Sequence, residues 1–409
     1  MNKLPSKKQL EFLDWEMGAF FHFGIRTFYE GHKDWDGKPM PLSGFNPAAL
    51  DCQSWIKTIK EAGMKYAILV CKHHDGFANW PSQYSAYHVG LTPWKDGKGD
   101  VVAEFVDACR QYGIKIGLYY SPAEIGYSER SPQDHDDYFV HQISELLTNY
   151  GKIDYLWFDG CGSEGHEYDK PRIIKAIRGL QPDILIFNMW DPDTRWVGNE
   201  GGAAGVLNGN AVNSQDFSVL TTEKDLLDDE YFLPAECDFM LRRDNWFYSE
   251  YDVHTVKSLE ELVGLYYYSV GSGANFLVNI GPDRRGLLPE ADAARIREFG
   301  EEIRRRFANP IPARVKDTAS GVVVELDEEQ FVNHAVLAED LTNGDSIEGF
   351  HVYAASHIIR QPVCVYRGAK VGHKRIVTFP AILAKEIYIE ITKSSGTFVL
   401  KKPALFLIR

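Results

Sequence analysis

No apolar run in the chain is long enough to cross a bilayer: stretches such as Tyr66 to Cys71 are short, whereas a spanning helix needs about 20 residues. The opening MNKLPSKKQL has basic residues with no apolar segment behind them, so it does not read as a secretory leader. The expectation is a cytoplasmic location, or an extracellular or periplasmic one if a leader has been removed. There is no C-x-x-C pair and no regular cysteine framework among positions 52, 71, 109, 161, 237 and 364, which points to buried free thiols and a reducing compartment. Long runs of like charge are also missing. With Lys+Arg 44 against Asp+Glu 58, the formal charge of -14 repels nucleic acid and anionic membranes alike, so neither is expected as a partner. No G-x-G-x-x-G follows the first predicted strand and no G-x-x-x-x-G-K-[ST] occurs, which argues against dinucleotide and P-loop folds.

What is present is ample material for a core. The 409 residues are 44% hydrophobic, enough for two domains or one large domain with an appendage. Aromatic residues make up 13%, more than a core alone tends to need. The first part of the chain alternates β-rich runs with amphipathic segments. Gly18 to Phe23 reads as a first strand. Asn46-Pro47 offers a cap for a helix carrying Leu50, Trp55, Ile56 and Ile59 up to Gly63, and strand Tyr66 to Cys71 follows. Asp100 caps a helix running to Gly113 before strand Ile114 to Tyr120, and a helix over 136–149 precedes strand Asp154 to Phe158. Further units run through 171–179 and then Ile184 to Asn188, and through 258–270 and then Asn275 to Ile280. A less regular strand lies near 232–236 and a last helix over 289–307. This alternation predicts an α/β fold, a (β/α)8-like TIM barrel over residues 1–308, in preference to an open sheet. From 309 to 409 short alternating runs separated by Gly, Asn, Asp and Ser predict a C-terminal β-sandwich of about eight strands. No Trp follows Trp246, so a structural appendage is expected there rather than a sugar-binding module.

In such a barrel the reactive groups stand at the C-terminal ends of the strands. Strand one ends at His22, strand two at His73-His74-Asp75, strand three at Tyr119-Tyr120-Ser121 and strand four at Trp157-Phe158-Asp159. Strand five ends at Asn188-Met189-Trp190, and later strands end at Glu236 and Asn279. Imidazoles, carboxylates and aromatic rings with no lysine suit a neutral polyhydroxyl ligand: polar groups hold hydroxyls, and ring faces cover C–H patches. Tyr119, Trp157, Trp190, Trp196 and Trp246 are the aromatic residues expected near this face. Cleaving a glycosidic bond needs one ionised and one protonated carboxyl. Asp159, following an apolar strand, is the candidate for the ionised one. The proton donor is open between Glu200, in the glycine-rich segment 195–202, and Glu236, in Pro234-Ala235-Glu236-Cys237-Asp238. Histidines 22, 73 and 74 raise the competing reading of a metal-dependent hydrolase. That reading is disfavoured because adjacent His73 and His74 point to opposite sides in strand geometry and strand one lacks a His-x-His pair. No metal or cofactor is expected.

At these positions the sequence resembles glycoside hydrolase family 29, the retaining α-L-fucosidases. The resemblance is carried by Phe21-His22-Phe23-Gly24, Lys72-His73-His74-Asp75-Gly76-Phe77, Gly117-Leu118-Tyr119-Tyr120-Ser121-Pro122, Leu156-Trp157-Phe158-Asp159-Gly160 and Asn275-Phe276-Leu277-Val278-Asn279-Ile280-Gly281-Pro282. It implies that Asp159 is the nucleophile and that His22, His73, His74, Tyr119 and Trp157 line a fucose pocket. The segment Arg195-Trp196-Val197-Gly198-Asn199-Glu200 is similar to the branch acting on α-1,3 and α-1,4 linkages in Lewis-type glycans, which implies Glu200 as the acid/base. Glu236 is then expected in substrate binding, as the runner-up acid. Trp35 falls where the branch carries a Glu-Trp-Gly loop, here Asp34-Trp35-Asp36-Gly37, and Trp246 completes the expected binding set. The implied partner is a fucosylated oligosaccharide or glycoconjugate. A non-catalytic fucose-binding lectin is the remaining alternative; retention of both carboxyls counts against it.

Overall fold

The computed structural model describes residues 3–31, 38, 40–124, 131–163 and 165–409, so Trp35 lies outside the described residues. Its first strands, β1 (Met17–Phe21), β2 (Tyr66–Lys72), β3 (Lys115–Tyr120), β4 (Tyr155–Phe158), β5 (Leu185–Phe187) and β6 (Arg195–Trp196), belong to one parallel sheet. An antiparallel hairpin of β7 (Ala211–Gln215) and β8 (Asp225–Phe232) intervenes before β9 (Ala235–Met240) and β10 (Asn275–Ile280) complete that sheet. The order β5-β4-β3-β2-β1-β10-β9-β6 has its two ends in contact, because Phe187 of β5 bridges Thr194 just before β6. The sheet is thereby a nearly closed eight-stranded parallel barrel, as the alternation predicts.

Helices α1 (Lys7–Trp15), α2 (Cys52–Glu61), α3 (Val101–Tyr112), α4 (Pro132–Asn149), α5 (Lys170–Leu180), α6 (Leu259–Tyr268) and α7 (Glu290–Phe307) are set by local chemistry. Asp100 caps α3 by accepting the Ala103 N–H at 2.9 Å, and Gly113 ends it in the left-handed region at φ 64°. Helix α2 starts later than Asn46-Pro47 suggests. The side chain of Asp51 takes the Ser54 N–H at 2.9 Å and supplies the cap. Helix α1 closes the barrel floor: Phe12 lies 5.3 Å from the Tyr155 ring and Trp15 5.5 Å from the Tyr66 ring. Within the barrel, Gly18 is required by close approach. A Cβ there would sit 2.5 Å from the Tyr66 ring.

The unit between β5 and β6 departs from expectation. Segment 195–202, read from sequence as a glycine-rich loop, begins as strand β6, and the turn before it contains no helix. Asn188 (φ 64°) and Trp190 (φ 68°) take left-handed backbone there, a conformation that non-glycine residues adopt only when their surroundings hold them in it. Trp190 consequently turns away from the barrel mouth and packs on Phe139, Phe158 and Tyr168 at 5.4, 5.2 and 4.9 Å.

Strands β11 (Ala313–Thr318), β12 (Gly321–Leu337), β13 (Ile347–Ala355), β14 (Val363–Gly368), β15 (Arg375–Ser394) and β16 (Ala404–Phe406) form a separate antiparallel sheet around its own core of Val324, Val332, Phe350, Val352, Ile387 and Leu405. The eight short runs of the sequence become fewer, longer strands. β12 and β15 continue through the polar breaks by register shifts between Glu325 and Gln330 and between Val332 and His334. This sheet packs on the barrel. Phe406 meets Phe307 at 5.4 Å, Tyr267 bonds His334 at 3.0 Å, and Asp345 accepts from both the backbone and the side chain of Asn210. All six cysteines are free, and among the described residues no helix is long and apolar enough to cross a membrane.

Candidate active site

The barrel mouth opens into a cavity of about 510 Å³ lined by His22, His73, His74, Tyr119, Trp157, Asp159, Trp196, Glu200, Asp238 and Trp246, among others. Asp159 stands one residue past β4. Its Oδ1 accepts the Cys161 N–H at 2.8 Å, and its Oδ2 accepts the Tyr119 hydroxyl at 2.9 Å and lies 3.4 Å from His74 Nε2. Burial alone would raise its pKa, but His74 and these donors outweigh that and hold the carboxyl below its ordinary value. Asp159 is therefore ionised at neutral pH. The turn after it is tightly backed: a Cβ on Gly160 would lie 1.9 Å from the Phe217 carbonyl, so only glycine lets the β7–β8 loop close against the segment that carries Asp159.

His22 is the electrostatic opposite. Asn279 donates its amide to the Trp246 carbonyl at 2.7 Å, which aims its Oδ1 at His22 Nδ1, also at 2.7 Å. Burial pushes the His22 pKa down to about 3. The ring is therefore neutral with its proton on Nδ1, and Nε2 is left as an acceptor for a ligand hydroxyl. The walls are aromatic. Tyr119 stacks on Trp157 at 5.3 Å, Trp157 on Phe187 at 4.1 Å, and Trp246 lies 5.0 Å from the His22 ring. Each such ring pair adds about 0.5–1.5 kcal/mol beyond its buried area and presents a flat apolar surface to the cavity.

His73 and His74 do not point apart as strand geometry would require, because β2 ends at Lys72. The two rings sit in the turn beyond it, closed by the Gly76 N–H to the His73 carbonyl, with centroids 4.4 Å apart and both facing the cavity. One ligand atom from each of His73, His74 and Asp159 falls within 4.8 Å of the others. In His74, Nδ1 is engaged by Ser121 Oγ at 2.6 Å.

The two candidate acids separate clearly. Glu200 lies in the loop after β6, solvent-exposed on the cavity rim, and a bridge between Gly201 and Phe239 of β9 holds that loop against the barrel. Glu236 is fully buried and does not line the cavity. Its Oε2 accepts from Tyr66 at 2.6 Å, and its Oε1 accepts from Trp157 Nε1 at 2.8 Å and from Tyr155 at 3.4 Å. The expectation of direct substrate contact by Glu236 is corrected accordingly: it supports Trp157 from beneath. The carboxyl of β9 that does reach the cavity is Asp238, two residues and about 6.6 Å further along the strand. Burial, reinforced by Glu200, raises the Asp238 pKa well above the usual carboxylate range, while Trp196 Nε1 donates to it at 2.7 Å. The period-two alternation of the segment ending at Asp238 carried the signal for this residue.

Burial likewise raises the Glu236 pKa from 4.5 to about 7 against the pull of its three donors. A raised folded-state value means that this group's contribution to stability is complete below pH 4.5 and is lost as pH rises through about 7. Each unit of that displacement is worth about 1.4 kcal/mol. The isosteric Glu236→Gln variant is expected to remove this component. Melting temperatures measured from pH 4.5 to 8 should fall more steeply for the wild type; parallel curves for the two proteins would refute the assignment.

Together these features define a (β/α)8-barrel protein whose mouth pairs an ionised aspartate with a rim carboxyl between aromatic walls. The family model described as alpha-L-fucosidase matches residues 41–305, and the chain belongs to that family. It is 35% identical over 331 residues to alpha-L-fucosidase 1 of Arabidopsis thaliana, an alignment covering 78% of this chain and 64% of the plant protein. To plasma alpha-L-fucosidase of Homo sapiens it is 26% identical over 273 residues, covering 63% and 54%. The match thus spans less than two thirds of either curated relative. A solved glycoside hydrolase 29 family member from an unknown rumen bacterium superposes with a TM-score of 0.88 at 31% identity, covering 99% of this chain and 77% of that one.

Proposed function

We propose that the chain is a retaining α-L-fucosidase that releases terminal fucose, with preference for α-1,3 and α-1,4 linkages in branched glycans. The observation that carries this reading is Asp159: a carboxylate held ionised by His74, Tyr119 and the Cys161 N–H, in the same aromatic-walled cavity as the rim carboxyl Glu200. In the first displacement Asp159 attacks the anomeric carbon. The bond to the aglycone oxygen breaks, and Glu200 gives that oxygen its proton. In the second, Glu200 takes a proton from water, the water oxygen bonds to the anomeric carbon, and the ester bond to Asp159 breaks. Two inversions retain the configuration. The neutral His22 offers an acceptor to a sugar hydroxyl, and Tyr119, Trp157 and Trp246 offer ring surface to the methyl-bearing face. The names of the plant and human relatives support the same substrate class.

A panel of α-1,2, α-1,3, α-1,4 and α-1,6 fucosides tests the proposal, with product configuration followed by NMR. The α-1,3 and α-1,4 substrates should be cleaved fastest, with α-fucose as the first-formed product. Preference for α-1,2 or α-1,6 would remove the linkage assignment, initial release of β-fucose would remove the retaining mechanism, and no turnover of any fucoside would remove the activity.

A further inference from the structure

The turn after β3 fixes where protons reside in the site. The Ser121 backbone N–H bonds the Lys72 carbonyl at 2.9 Å. The same turn is anchored by a buried ion pair between Lys72 and Glu124, also at 2.9 Å. Ser121 itself is fully buried, and its hydroxyl donates to the Ala123 carbonyl at 2.6 Å. A hydroxyl has one hydrogen, and a carbonyl can only accept. The second short contact of that oxygen, 2.6 Å to His74 Nδ1, must therefore be donated by the imidazole.

We propose that Ser121 is a positioning residue that sets the proton inventory of the nucleophile: it obliges His74 to keep a proton on Nδ1, so that the 3.4 Å contact between His74 Nε2 and Asp159 Oδ2 is made by imidazolium and carboxylate. This rests on the reading of Asp159 as nucleophile. With Nδ1 committed, a neutral His74 would turn a lone pair toward the carboxylate. With the serine hydroxyl removed, His74 can give up its Nδ1 proton and still donate from Nε2. The other titratable groups around His74 are Tyr119 on β3, His22 after β1, and His73 and Asp75 on its own turn, the last beside Arg26. None of them supplies an acceptor for Nδ1 in place of Ser121.

The test reads protons directly. In ¹⁵N-histidine-labelled protein near neutral pH, with His74 assigned by comparison with His74→Asn, both ring nitrogens of His74 should show protonated shifts in the wild type. In Ser121→Ala, Nδ1 should move to the unprotonated range while Nε2 stays protonated. An unprotonated Nδ1 in the wild type overturns the proposal, and this reading stands even if the variant fails to fold. A second measurement uses α-fucosyl fluoride, whose departure needs little help from an acid. The alkaline limb of kcat/KM should move to higher pH in Ser121→Ala, because the neutral His74 of the variant still donates from Nε2 to Asp159. A uniform loss of rate with an unmoved alkaline limb would make Ser121 merely structural. Because the spectrum requires no turnover, correct nitrogen shifts in a chain with no fucosidase activity would sink the proposed function and leave the Ser121–His74 proton arrangement standing.

Discussion

Asp159→Ala is expected to lower kcat/KM on an activated aryl α-L-fucoside by on the order of 10⁴-fold or more, the scale of losing a nucleophile that acts with its partners as a unit. Neither of the two buried carboxyls on β9 can substitute. Asp238 is held toward its neutral form by burial and by Glu200, and Glu236 is sealed beneath Trp157. The alanine leaves room on the nucleophile's side of the sugar. Azide added with α-fucosyl fluoride should enter there and displace fluoride in one inversion, giving β-fucosyl azide. Near-normal turnover by the variant, or an azide adduct of α configuration, would end the assignment of Asp159.

Glu200→Ala is the second large effect, and its signature is the mirror image of the first. Loss of a positioned general acid costs about 10²–10⁴-fold on substrates whose leaving group needs a proton. An activated aryl fucoside should still form the fucosyl-enzyme, which then accumulates because water lacks its base. Azide occupying the vacated rim attacks that β-linked intermediate from the aglycone side, so the product should be α-fucosyl azide and the rate should recover. The control is Asp238→Ala. If Asp238 were the acid, azide rescue and the α-azide would follow an alanine at position 238, and Glu200→Ala would lose little activity. Glu200 is favoured because it stands exposed on the rim, where a leaving group departs toward solvent.

Much of the barrel was legible because its signals are local. The cap at Asp100, the glycine stop at Gly113 and the apolar strand runs each act within a few residues of themselves. The position of Asp159 was legible for the same reason, since a carboxyl immediately after an apolar strand must emerge at the barrel mouth. Two-residue β6 was not. Arg195–Trp196 is too short to show periodicity, and it is a strand only because β5 and β9 leave a gap that it fills. The choice between Glu236 and Asp238 was equally hidden. Both point to the same side of β9, and depth along the barrel, which no local pattern encodes, decides which one touches the cavity.

The amino-acid sequence by itself determined the order of strands and helices, the change to antiparallel strands toward the C-terminus, and the identities of the polar residues gathered at the strand ends. Those properties arise from capping, period and turn chemistry between neighbours in the chain. Only the tertiary structure decided the protonation states and exposures that make those residues a site. It holds Asp159 ionised through His74 and Tyr119, keeps His22 neutral by burial while Asn279 fixes its proton on Nδ1, and lodges Glu236 beneath Trp157. The physical reason is that desolvation and hydrogen-bond direction depend on partners 40 to 257 positions away in the chain, as with Tyr119 to Asp159 and His22 to Asn279, and those partners meet only when the barrel closes.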